Sequence, residues 1–248
     1  MGNDSYKFTP IHDLSPERQF RALVQTIFDP RDLVEIRAIQ SGSRSGTTTS
    51  KVVYRAWHPA DQLLDEYSRL ADLNQRGANV YYGVNPRRDH SGKKASVHLC
   101  RTLWADLDDC SVEQARVRWR KKVPEPSSVV HSGPGVHLYW RLKQPLRLES
   151  AERIIELEAT LAEIQHESGA DTTQDVTRLL RLPGFDNTKR SPVPCLIKQF
   201  RSNKSYSWNR FERWRRRAMV QMVDRPSLSL IHISEPTRPS KSSRMPSS

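Results

Sequence analysis

The chain has 248 residues, enough for one large domain or two small ones, and 36% of them are hydrophobic. Lys and Arg outnumber Asp and Glu by 40 to 28, a net charge of +12, which points to a polyanionic partner, nucleic acid before an anionic membrane. No apolar run approaches the roughly 18 residues of a spanning helix, Met1-Gly2-Asn3-Asp4 does not read as a signal peptide, and the scattered Cys100, Cys110 and Cys195 fit neither a disulfide scaffold nor a cysteine-rich zinc site. A cytoplasmic protein without a membrane partner is expected.

Ser15-Pro16-Glu17 predicts a helix start, with Ser as cap and Pro in the first turn. Phe20, Leu23, Val24 and Ile27 recur at helical spacing, and Asp29-Pro30 ends the run. Residues 33–39 alternate like a strand, and 41–50, rich in Ser, Gly and Thr, read as a flexible connection. A second helix is predicted after Pro59, with Leu63, Leu64, Tyr67, Leu70 and Ala71 on one face and Gly77 as its stop. Strands follow at 79–84, through Leu103–Leu107, at 127–132 and at 136–142. Ser111-Val112-Glu113-Gln114 is a capping box opening a helix whose exposed face carries Arg116, Arg118, Arg120, Lys121 and Lys122, either a solvated face or a nucleic-acid contact. Ser150 caps a helix through Ile154, Leu157, Leu161 and Ile164 to Gly169, and 178–182 and 193–200 read as strands. Residues 201–217 interleave Tyr206, Trp208 and Trp214 with arginines, which suits either single-strand stacking or an amphipathic helix.

Leu228–Arg238 looks like the translation of a sequencing adapter, so 228–248 is left out of fold reasoning and the natural sequence is expected to continue differently beyond Ser227. Residues 1–217 are expected to form the functional domain, and 218–248 a disordered tail.

Three stretches carry chemistry. In Leu103-Trp104-Ala105-Asp106-Leu107-Asp108, strand alternation puts Asp106 and Asp108 on one side, roughly 6–7 Å apart. Like charges this close call for a cation between them, and hard oxygen ligands favour Mg²⁺ or Mn²⁺; the alternative is a surface Asp-x-Asp at a strand end. In His131-Ser132-Gly133-Pro134-Gly135-Val136-His137, a glycine turn can bring backbone amides to phosphate. His137 projects from the strand face opposite Val136 and Leu138, either as a triphosphate ligand or as a satisfied polar group. In Gly169–Lys189, Asp171 and Asp175 are candidates for a third carboxylate, while Arg178 and Arg181 can neutralise phosphate or pair with nearby acids.

In this order, Leu103–Asp108, Gly133–His137 and Asp171–Lys189 resemble the three motifs of archaeo-eukaryotic-type primases, nearest to the plasmid and phage primase-polymerases with a RepB-like primase domain. The run Thr177-Arg178-Leu179-Leu180-Arg181-Leu182-Pro183-Gly184 and the upstream Tyr82-Gly83-Val84-Asn85-Pro86-Arg87 fit that branch. The resemblance covers roughly residues 30 to 200. It implies an α/β (α+β) primase-like core, an N-terminal α/β unit packed on a modified RNA-recognition-like sheet, with the site in the cleft between them. It implies nucleotidyl transfer on a single-stranded DNA template from nucleoside triphosphates, with two Mg²⁺ or Mn²⁺ ions held by Asp106, Asp108 and Asp171, or Asp175 in place of the last. Ser132, Gly133, Gly135 and His137 would grip the triphosphate. Arg178, Arg181 and Lys189 would offset its charge, and Asn85 and Arg87 would line the nucleotide pocket. A replicative helicase is a further partner the resemblance implies. A non-catalytic origin-binding initiator and a metal-dependent nuclease are the competing classes.

Overall fold

Helix α1 (Pro16–Ile27) starts where Ser15 Oγ accepts the N–H of Arg18 at 3.4 Å, and it buries Phe20, Leu23, Val24 and Ile27 along one stripe. The computed structural model describes residues 14–44, 47–201 and 203–223. Strands β1 (Leu33–Arg44) and β2 (Thr47–Pro59) form a long antiparallel hairpin with an irregularity between Ala38 and Ile39. The stretch 41–50 is therefore not the flexible connection expected, since Ser41 pairs with Ser50 and Gly42 with Thr49. Ladder pairing uses backbone groups and needs no apolar side chains, and threonines suit an extended arm.

The expected second helix is broken into α2 (Ala60–Leu63), a 3₁₀ turn at Leu64–Glu66, and α3 (Tyr67–Gln75). Gly77, at φ +88°, ends it. Strand β3 (Ala78–Gly83) follows, then β4 (Leu99–Leu107), the capping-box helix α4 (Val112–Trp119), β5 (Ser128–His131) and the long β6 (Val136–Arg147). Helix α5 (Ala151–Ser168) ends at Gly169 in the left-handed region. Strands β7 (Leu179–Arg181), β8 (Asp186–Asn187), β9 (Val193–Pro194) and β10 (Leu196–Phe200) are short. Helix α6 (Glu212–Val223) runs past the boundary expected at 217, because Ala218 continues the buried side begun by Phe211 and Trp214. The adapter-like run lies outside the described residues.

Two four-stranded antiparallel sheets result, in the orders β2-β1-β3-β7 and β10-β5-β6-β4, with a small β8-β9 ladder beside them. This is the expected pair of α/β units. The chain does not divide cleanly between them, because after α5 it returns to the edge of the first sheet as β7. The segment from Gly169 to Leu182 thus crosses from one sheet to the other. Helix α1 also bridges, with Gln19 Oε1 accepting the N–H of Ile197 in β10 at 2.8 Å. Alternation sets Leu103, Ala105 and Leu107 on one face of β4 and Trp104 with Asp106 on the other, yet Trp104 is buried as well. Trp104 is covered from the second side by the crossing segment, its Nε1 donating to the Thr173 carbonyl at 2.8 Å. Among the described residues no helix is long and apolar enough to cross a membrane.

Candidate active site

Asp106 sits near the C-terminal end of β4, directly opposite His137 of β6 in the antiparallel register. Its Oδ2 accepts a hydrogen bond from Arg178 Nη2 at 3.0 Å. His137 Nε2 lies 3.4 Å from Oδ1 but is not aligned as a hydrogen bond, so this buried oxygen has no hydrogen-bond partner. Asp108 stands just past the strand, where its side chain is free of the ladder. The crossing segment is stitched to this point twice. Asp171 N–H donates to the Asp106 carbonyl, and Asp171 Oδ2 accepts the N–H of Asp108, both at 2.8 Å. Partial burial, then the charges of Asp106, Asp171 and Asp109, push the Asp108 carboxyl above its ordinary value. Three aspartates from two elements are therefore brought to the sheet end.

The glycine turn between β5 and β6 closes against the same point. A Cβ on Gly135 would stand 2.4 Å from the Leu107 carbonyl, so only glycine lets the turn approach the end of β4. Gly133 has φ +110°, and a Cβ there would meet Asn187 Nδ2 at 2.4 Å. That amide donates to the Ser132 carbonyl at 3.1 Å. Ser132 itself is buried, with its N–H on the Gly135 carbonyl at 2.8 Å. A cleft of about 520 Å³ opens between this turn and the strands that follow, lined by Asp108, Gly133, Arg181, Asn187, Lys189 and Arg190 among others. Carboxylate and cations thus face one volume.

The structure brings together Asp106, Asp108, Asp171, His137, Gly133, Gly135, Arg178, Arg181 and Lys189. It does not bring in Asp175, whose Oδ1 accepts from Thr177 N and Oγ1 at 2.7 and 2.6 Å while Oδ2 lies 3.6 Å from Lys94. Asn85 and Arg87 are not on a pocket wall either. Asn85 is fully buried, its Nδ2 donating to the Val176 carbonyl at 2.9 Å. The Arg87 side chain is also buried, 3.0 Å from Glu35 Oε2. Burial alone would push the Glu35 carboxyl up; the hydrogen bonds and charges of Arg37, Arg87 and Arg55 overcome this and hold it below its usual value.

His137 is 1% exposed and lies behind Asp106, not at the open surface expected for a triphosphate ligand. Burial, with Arg178 and Arg181 nearby, lowers its pKa to about 4 against the pull of Asp106, so the ring is neutral at pH 7. Its Nδ1 is 3.3 Å from Tyr139 Oη, which accepts from Tyr82 Oη at 3.0 Å. This chain from the first sheet to Asp106 was missed in the sequence. Tyr139 at two residues from His137 was a usable signal, but its pairing with Tyr82 was not. Glu35 was missed too, although a lone acid inside Leu33-Val34-Glu35-Ile36 was a signal.

The aromatic residues of 201–217 turn inward. Trp214 is buried with Nε1 on Glu167 at 2.5 Å, and Tyr206 Oη donates to the Glu125 carbonyl at 2.5 Å. The arginines of α6 pair with Glu156, Glu167 and Glu212. The amphipathic-helix alternative holds there, not the stacking one.

The donor set suits a hard divalent cation, given carboxylate oxygens alone, one of them buried without a hydrogen-bond partner, and a neighbour whose charge is resisted by two others. Among the described residues no group of three or more His, Cys, Asp or Glu side chains is placed to hold a metal ion.

A replication protein of Clostridium perfringens is 23% identical over 175 residues, which cover 65% of this chain and 41% of that protein. The chain thus spans under half the length of that relative. Among solved structures, the AEP domain of the primase-polymerase of cyanophage S-2L superposes with a TM-score of 0.60 at 16% identity, covering 79% of this chain and 96% of that one. The primase RepB′ gives 0.56 at 17% identity, over 84% and 64% of the two chains. Its catalytic domain in complex with initiator DNA gives 0.54 at 17%, over 83% and 96%. These likenesses show the fold. Residues 46–227 match the model of the RepB DNA-primase N-terminal domain, and with most of its length so matched, the chain belongs to that family.

Proposed function

We propose that this domain catalyses template-dependent nucleotidyl transfer and acts as a primase or primase-polymerase in replication of a plasmid, phage or related element. The observation that carries the reading is the meeting of Asp106, Asp108 and Asp171 beside a cleft lined by Arg181 and Lys189. Origin binding alone leaves that convergence of like charges without a role.

Asp106, Asp108 and Asp171 would hold two Mg²⁺ or Mn²⁺ ions. Such ions, when bound, stabilise charge on the attacking and leaving oxygens of a phosphoryl group. The chain's own residues do the rest. Arg178 fixes Asp106 from one side, and the neutral His137 stands 3.4 Å from the other carboxylate oxygen without cancelling its charge. Arg181 and Lys189 offset the triphosphate charge in the cleft. The turn at Gly133–Gly135 keeps bulk away from the place where phosphates enter. Single-stranded DNA is the template; the likeness to a primase solved with initiator DNA supports this. A replicative helicase would act alongside.

The test supplies labelled nucleoside triphosphates, a single-stranded template and Mg²⁺ or Mn²⁺. Extended product is expected. Template cleavage would make the protein a nuclease, and binding without incorporation would make it an initiator only.

A further inference from the structure

Strand register places four residues of the first sheet in one row. Arg181 pairs with Tyr81, Tyr81 with Arg37, and Arg37 with Arg55. Directly opposed residues share a face. The other face, with Ile36, Ala38, Val80 and Tyr82, is buried, and Phe28 packs edge-on against Tyr82 at 6.0 Å. At about 4.8 Å between strands, the row spans roughly 14 Å.

Its chemistry is cationic and aromatic. The Arg181 guanidinium lies 5.3 Å over the Tyr81 ring. Arg55 lies 4.6 Å over Trp57, which stacks on His90 at 5.9 Å. Arg37 and Arg55 reach the same buried oxygen of Glu35 at 2.6 and 2.8 Å, and Arg87 reaches the other oxygen. One carboxylate thus faces three guanidiniums, leaving positive charge in excess. The Arg37 and Arg55 side chains are 24% and 38% exposed. At its inner end the row abuts the candidate site, since Arg181 lines the cleft with Asp108.

We infer that this row is the track of the single-stranded template, with phosphates on Arg37 and Arg55, a base against Tyr81, and Arg181 leading to the carboxylates. Charge complementarity and continuity with the site select this occupant, and its role as template rests on the nucleotidyl-transfer reading. Four-stranded sheets with surface aromatics hold two or three bases in this manner, and a cationic groove with stacking platforms tolerates any sequence. The arginines of α6 are spent on glutamates. Arg116, Arg120 and Lys121 at α4 line a separate hollow of about 280 Å³ and form the competing surface.

The test is fluorescence anisotropy of a labelled oligothymidylate twelve-mer with chelator present, across a salt series, with circular dichroism melts as folding control. Loss of one phosphate contact lowers the salt slope by about 0.7, so Arg55→Gln and Arg37→Gln should each weaken binding about fivefold at 0.1 M salt. Arg55→Lys keeps the charge beside Glu35 and should keep the slope. Tyr81→Leu should lose roughly 5- to 150-fold with the slope retained. The inference is overturned if these variants bind as the parent does, if the parent does not bind, or if the triple replacement of Arg116, Arg120 and Lys121 by Ala abolishes binding instead. A parent that incorporates nothing while the row variants still lose affinity sinks the enzymatic reading and keeps the track. A parent that incorporates while the row variants bind normally does the reverse.

Discussion

Arg178 Nη2 lies 3.0 Å from Asp106 Oδ2, although Asp106 stands in β4 of the second sheet and Arg178 immediately precedes β7 of the first. The crossing segment that carries Arg178 also carries Asp171, so one stretch of chain supplies both a neutralising cation and a further carboxylate to the end of β4. The site is thus built at the seam between the sheets, and changes to its charges should be read there first.

Asp106→Asn and Asp108→Asn should each lower incorporation by on the order of a thousandfold, the scale of several kcal/mol of transition-state charge stabilisation. Stability should behave differently. The folded Asp108 carboxyl titrates above its ordinary value, so the fold is favoured when it is protonated and loses stability as pH rises through the unfolded and then the folded pKa. Asp108→Asn should therefore raise the melting temperature at pH 7 and leave it little changed at pH 3. Normal incorporation by both variants would remove the carboxylates from the chemistry.

Divalent cation should stabilise the parent protein. At a hundredfold excess over Kd the linkage is about 2.7 kcal/mol, on the order of 5–10 °C for a chain of this size. The shift on adding Mn²⁺ should vanish in Asp108→Asn and in Asp171→Ala and persist in Asp175→Ala, whose carboxylate is engaged by Thr177 and Lys94. Differential scanning calorimetry with and without the ion decides this without an activity assay.

His137 titrates near 4 in the fold, with burial the main cause. A depressed imidazole leaves the fold unaffected above pH 6.5 and costs stability as pH falls from about 6.5 toward 4, because only the unfolded chain gains the proton. The loss should be on the order of 3 kcal/mol. Urea melts in chelator at pH 7 and pH 4.5 should show a smaller drop for His137→Gln than for the parent. An equal drop would mean that the ring titrates normally.

Arg87→Ala should destabilise the fold by about 3–5 kcal/mol, the scale for removing one partner from a buried ion pair, since the Arg87 and Glu35 side chains are both inaccessible. Joint replacement by Met at 87 and Gln at 35 should cost less than the sum of the single changes. Denaturant midpoints measure both. A variant of normal stability with a raised KM for triphosphate would return Arg87 to the nucleotide pocket.

Gly135→Ala should cost more than Gly133→Ala. At Gly135 the new methyl meets the Leu107 backbone carbonyl, which cannot give way without moving Asp108; at Gly133 it meets the Asn187 side chain, though the positive φ adds strain of its own. Overpacking of this kind is worth about 1–3 kcal/mol. Melting temperatures and incorporation rates together should follow that order.

What the sequence determined by itself was local. Ser15, Ser111 and Ser150 marked three helix starts because a cap is made within one turn. Gly77 and Gly169 marked two helix ends because a left-handed stop needs glycine. The order of Asp106-Leu107-Asp108, Gly133–His137 and Asp171–Lys189 was enough to suggest the family, since it is linear information. What the sequence left open was decided by contacts between residues far apart in the chain. The motif spacing favours Asp171 over Asp175 only slightly, and the hydrogen bonds of Asp171 to β4 set the two apart in space. The resemblance puts Arg87 on the nucleotide pocket, and only the tertiary structure sets it against the buried Glu35. The basic and aromatic stretch 201–217 reads equally as a stacking surface or an amphipathic helix until Glu156 and Glu167 of α5 meet the arginines of α6. Conversely, the row Arg181, Tyr81, Arg37, Arg55 is invisible along the chain, because antiparallel register alone sets those four side by side. Charge is a property of the sequence; whether a charge is spent on a neighbour or left for a ligand is decided only when the strands are paired.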